Sequence, residues 1–145
     1  TYSWRVIART QAGAADTVTS LGDFVVQSST QPPTTSLYPP FPNPFPRAGE
    51  ANTHFWFDLA EQTAVELTIH DLRGRLVRRL IPTSAGCGPL AAGQYGRGEQ
   101  TDPCINTAWD GRDQNGALVV RGVYIARLRT PNSVSTQRIL FLRNP

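Results

Sequence analysis

Two cysteines, Cys87 and Cys104, stand 17 positions apart in a stretch rich in glycine and proline. A cysteine pair in one polar loop predicts a disulfide, and with it an oxidising, extracytoplasmic compartment; the alternative is two free thiols. Closing such a loop constrains the unfolded chain by about 3 kcal/mol. A metal site needs more ligands than two thiolates, and neither histidine, His54 or His70, falls near them. Asp110, Asp113 and Asn115 offer oxygens at positions 1, 4 and 6 of a short loop. An EF-hand calcium loop spaces its first three ligands at roughly 1, 3 and 5 and closes with a Glu at about 12. That last position is Arg121 here, so the reading that remains is a hydrogen-bonded turn. Asp58, Glu61, Glu66 and Asp71 can be paired on paper as the carboxylates of a glycoside hydrolase, but they fall beside a turn or on outward strand faces and read as solvated charge. The two histidines read as surface residues, with no Cys or Asp placed to complete a triad. Trp56 reads as a sugar-stacking platform or, preferably, as a cap over the core beneath the loop 83–104. These residues call for no catalytic group, no metal and no cofactor.

The elements that position them are short. The organising stretch is W-D-G-R-D-Q-N-G-A-L-V-V-R-G-V-Y, Trp109 to Tyr124. Apolar runs Ile105–Trp109 and Ala117–Val120, expected as a strand and a short strand, flank a polar centre that contains Asp110, Gly111, Asp113, Asn115 and Gly116. Asn115-Gly116 predicts a type I′ hairpin turn, which needs φ > 0 at both central residues. Gly122 is the expected kink before a strand from Val123 to Arg129. Trp109 and Tyr124 are the expected central aromatics of the core. Upstream, Phe55, Phe57 and Leu59 alternate with polar positions, as do Val65, Leu67 and Ile69, the period of a half-buried strand. A turn at Asp71–Arg75 with Gly74 at positive φ, a strand Leu76–Ile81, and a last strand Thr136–Arg143 complete the set. No segment holds a helical period. Regularly spaced short strands predict an all-β fold, an immunoglobulin-like antiparallel β-sandwich over residues 47–145.

Composition fits that class. Glycine and proline number 12 each in 145 residues, a share suited to many turns. All 14 basic residues are arginine, which favours bidentate ion pairs with carboxylates. A formal charge of +3, widely scattered, argues against a nucleic-acid partner. No run is long and apolar enough to predict a membrane span. A first residue of Thr1 predicts a processed product or a piece of a longer chain. Residues 29–46 form a Pro-rich linker and strap, in which Tyr38, Phe41 and Phe45 are placed to pack on a sheet while prolines blunt its edge.

Tyr2, Trp4, Val6, Phe24 and Val26 form a β-hairpin over residues 1–28 that resembles the last two strands of a fibronectin type III domain. Two strands cannot bury that apolar set alone, which makes them candidates for assembly. Further along, Y-P-P-F-P-N-P-F-P, V-E-L-T-I-H-D-L-R-G-R-L-V-R-R-L, L-A-A-G, W-D-G-R-D-Q-N-G and G-V-Y-I-A-R-L follow in order. This set resembles the C-terminal sorting domains of the type IX secretion system. It is equally similar to the immunoglobulin-like domain of the flagellar hook-capping protein. The resemblance implies a sandwich at the C-terminus of a bacterial secreted or cell-surface protein, with Arg138 and Arg143 in the place of the basic residues of the sorting signal. The partners it implies are secretion machinery or cell-surface proteins. The expected function is therefore a non-enzymatic module for export sorting, anchoring or assembly. The alternatives are a subunit of an extracellular filament built by strand addition between copies, and a carbohydrate-binding accessory module.

Overall fold

A computed structural model describes residues 31–99 and 101–143. The hairpin expected over residues 1–28, with Tyr2, Trp4, Val6, Phe24 and Val26, lies outside the described residues. Among those described there is no helix, and the strands are β1 (Ser36–Leu37), β2 (Thr53–His54), β3 (Phe57–Leu59), β4 (Glu66–His70), β5 (Leu76–Ile81), β6 (Gly93–Tyr95), β7 (Ala108–Trp109), β8 (Gly122–Thr130) and β9 (Ser133–Phe141). One sheet has the order β5-β4-β8-β9, and the facing layer is made of β1-β3-β6 and β2-β7. Every strand pairing is antiparallel. The described residues form an all-β, immunoglobulin-like sandwich.

Alternation decides which side chains go inside. On β8, Tyr124, Ala126 and Leu128 are buried while the residues between them are not. The rule fails on β5, where consecutive Leu80 and Ile81 are both buried. Register shifts against β4, between Leu67 and Thr68 and between Ile69 and His70, explain this, because each shift turns a side chain to the other face. The core centre is aromatic. The Trp109 ring is fully buried, with centroids 5.5 Å from Phe45, 5.3 Å from Tyr124 and 5.9 Å from Phe141. Its indole Nε1–H donates to the Arg112 carbonyl at 2.9 Å, so the polar handle is satisfied at the rim. Tyr124 and Tyr95 each donate a 2.6 Å hydrogen bond to the carbonyl four residues upstream, Val120 and Ala91. Burial pushes both phenols above their ordinary pKa, so they remain donors.

Three sequence expectations change. Asn115-Gly116 is not a type I′ turn, because of the two only Gly116 has positive φ, at 87°. The turn is one residue wider on the acidic side: Asp113 N–H reaches the Ala117 carbonyl at 2.8 Å, and Gly116 N–H reaches the Asp113 carbonyl at 3.0 Å. Its carboxylate supplies the reason, because Asp113 Oδ1 accepts from the N–H groups of Asn115 and Ala117 at 2.9 and 3.0 Å. That fixes a turn with a single left-handed glycine at its end. Ala117–Val120 is not a strand; it makes one isolated bridge, Arg112 to Leu118, and Val120 is exposed. The strand expected at Ile105–Trp109 is only Ala108–Trp109.

Candidate interaction surface

The Pro-rich strap is part of the sandwich. Leu37 and Phe45 are buried in the core. From Tyr38 to Phe41 the chain pairs with Trp56 and His54 of the facing layer, and from Asn43 to Phe45 it runs alongside β9. Phe45 N–H donates to the Leu140 carbonyl, and Leu142 N–H donates to the Phe45 carbonyl, at 3.0 and 2.8 Å. Asn43 stands in for a peptide group: its Nδ2 donates to the Arg138 carbonyl and its Oδ1 accepts from Leu140 N–H, both at 2.9 Å. Prolines contribute no N–H donor, so a segment rich in them can cover an edge without offering a new one. Phe41 stays exposed, with the Arg47 guanidinium 4.7 Å over its ring.

The opposite edge of the same sheet is closed by the organising stretch. Gln114 N–H donates to the Val77 carbonyl of β5, and Gln114 Oε1 accepts from Arg79 N–H, both at 2.9 Å. Asp110 Oδ1 accepts from Arg112 N–H at 3.1 Å and from Arg78 at 3.3 Å. These acidic oxygens are turned onto donors of their own chain, and among the described residues no three His, Cys, Asp or Glu side chains converge to hold a metal ion. Gly111, with φ 80°, lies so close to Phe141 that an added Cβ would collide with its ring. Gly122 opens β8, at φ 150°. An open cleft of about 750 Å³ lies beside this corner, lined in part by Arg47, Glu50, Asp110, Arg112 and Phe141.

Cys87 and Cys104 are joined by a disulfide, with Cα atoms 5.8 Å apart. The excursion it closes returns to the body of the fold. Leu90 is buried, β6 pairs with β3, and the Tyr95 ring stacks on Phe57 at 5.1 Å. Asp58 is the exception to the solvated-charge reading: it is buried, accepting from the Tyr38 hydroxyl at 2.6 Å and pairing with Arg97 at 2.9 Å. One carboxylate thus ties strap, β3 and excursion together. Gly96, with φ 86°, sits against the backbone of Phe55 and Trp56, where no larger residue fits. His54 lies 3.5 Å from Glu50, and His70 lies between Thr68 Oγ1 and the Gly74 carbonyl.

Of the residues singled out for sorting, Arg138 is exposed on β9, opposite Ile125, and Arg143 is exposed just beyond that strand. Sequence reasoning did not single out Asn43, Arg97, Gln114 or Arg127.

No protein-family model matches the chain, and no curated protein matches it. Among solved structures, one similar chain is PorZ, described as an essential bacterial surface component of the type IX secretion system of Porphyromonas gingivalis. Identity is 18%, the TM-score is 0.43, and the match covers 74% of this chain and 11% of that one.

Proposed function

We propose that the chain is a non-enzymatic C-terminal module of a bacterial secreted or cell-surface protein, acting in export sorting, anchoring or assembly. One observation carries the reading. The motifs through which the sequence resembles sorting domains are the parts that close the sandwich: the strap along β9 and the Trp109–Gly116 corner against β5. A disulfide suits the same extracytoplasmic setting. The last strand presents Arg138 to solvent, where a recognition partner can reach it.

The test is export of a reporter. A periplasmically targeted fluorescent protein carrying residues 32–145 at its C-terminus is expected to reach the surface or medium of a bacterium with a type IX system. Retention in the periplasm, with the fusion intact and folded, sinks the reading. The filament alternative gains little support from the four-stranded sheet, whose edges are partly engaged by the strap and by Gln114. It rests on residues 1–28.

A further inference from the structure

The outer face of β5-β4-β8-β9 carries charge of nearly one sign. Register places Arg127 of β8 between Thr68 of β4 and Thr136 of β9, with Arg79 of β5 beyond Thr68. Arg129 lies between Glu66 and Val134, and Arg138 lies opposite Ile125. Four arginines therefore share a face on which Glu66 is the only carboxylate of the described residues, and it is engaged 3.9 Å from Arg79. Elsewhere several guanidinium groups are matched: Arg75 with Asp71, Arg78 and Arg112 with Asp110, Arg97 with Asp58. Among the described residues, Arg127, Arg129 and Arg138 have no carboxylate within ion-pair distance, and the Nε of Arg127 is buried without an acceptor. Apolar side chains interleave with them: Val134 is 61% exposed and Leu140 is 38% exposed.

We propose that this face docks a partner polypeptide whose surface alternates carboxylates with aliphatic side chains. Unmatched guanidinium forks call for planar anions, which carboxylates fit bidentately. Val134, Leu140 and Ile125 call for apolar area to bury, which a polyuronate or a nucleic-acid backbone does not offer. Strap and Gln114 engage part of each edge of the sheet, residues 138–142 on the β9 side and 77–79 of β5, so the arginine face is the larger open surface and the partner approaches face-on. This goes beyond the export reading, which needs a recognised surface without saying which. Reporter export tests that reading and binding in vitro tests this one, so each can fail alone.

The test uses the full chain and fluorescence anisotropy at physiological ionic strength. The probes are a labelled synthetic peptide alternating Glu and Val, one alternating Glu and Ser, and alginate oligomers of equal charge. The Glu/Val peptide is expected to bind at least about tenfold more tightly than either other probe. The R129E/R138E variant should weaken it by about tenfold or more, while R73E/R121E, with the same change in net charge, should alter it less than about twofold. Equal losses in both double variants, or alginate binding as tightly as the Glu/Val peptide, overturns the proposal. If the Glu pair lowers the melting transition, R129K/R138K decides: a loss of about threefold supports the fork geometry, and unchanged binding overturns it.

Discussion

Two turns in this molecule share one design and differ in what they hold. At Asp71–Arg75 and at Asp113–Ala117, an aspartate carboxylate accepts the N–H groups two and four residues ahead, and a left-handed glycine sits at the fourth position. Gly74 and Gly116 have φ of 86° and 87°. In both, the first residue closes a backbone bond to the fifth. The first turn ends the β4-β5 hairpin and faces water; its second residue, Leu72, is 70% exposed. The second turn has Gln114 in that place, and Gln114 seals the edge of β5. The lesson is that a local motif fixes a shape, while the side chain at its tip decides whether the shape is a terminus or a clamp.

The comparison can be broken most severely beneath the second turn. Trp109→Ala removes the ring under it and the bond to the Arg112 carbonyl, and should cost about 3–5 kcal/mol in urea unfolding. Gly111→Ala should cost about 2–4 kcal/mol, since it adds both a strained φ and a collision with Phe141. Gly74→Ala, where nothing lies within 4 Å of the new Cβ, should show the backbone strain alone, about 1–2 kcal/mol. Asp113→Ala should cost about 2 kcal/mol and Asp71→Ala measurably less, because only the former also loosens a clamp. Equal costs in denaturant titration would refute that distinction.

Finer still is the second position. Gln114→Ala should cost about 1 kcal/mol and speed amide exchange at Arg79, whereas Leu72→Ala should change stability by less than about 0.5 kcal/mol. The smallest effect is in pH. The Arg75 N–H, helped by the Arg75 guanidinium and Arg73 N–H, holds the Asp71 carboxyl below its ordinary value of 3.8. A folded pKa below the unfolded one adds stability above that ordinary value, which is lost as pH falls through the folded value. Asp71→Asn should therefore narrow the stability difference between about pH 5 and pH 2 relative to the parent protein. An unchanged difference would show that the carboxylate charge contributes nothing there.

Both turns were legible as turns, because Asp and Gly at fixed offsets act through neighbouring backbone alone. The strands were legible where one face is wet, as on β8, and less so on β5, where register shifts break the alternation. The type of the Asn115-Gly116 turn was misread because the dipeptide signal ignores the aspartate two residues earlier, which captures two backbone donors. The closures were not legible. Gln114 meets Arg79 across 35 residues, Arg97 meets Asp58 across 39, and Asn43 meets Leu140 across 97. Local pattern carries no record of such partners. Asp58 was read as solvated for the same reason, since the hydroxyl that hydrogen-bonds it and the guanidinium that neutralises it come from the strap and the disulfide-closed excursion.

The strap also sets how the sandwich responds to pulling. It runs in the same direction as β9, bridged from Leu37 beside Ser135 and Gln137 to Phe45 beside Phe141. Tension between residue 32 and residue 143 therefore draws the two segments past each other along their length. The bonds at Leu37, Asn43 and Phe45 are strained together and do not open one after another, as they would in a hairpin pulled from its open end. Resistance to force then depends on a concerted rupture and its unfolding rate, more than on equilibrium stability.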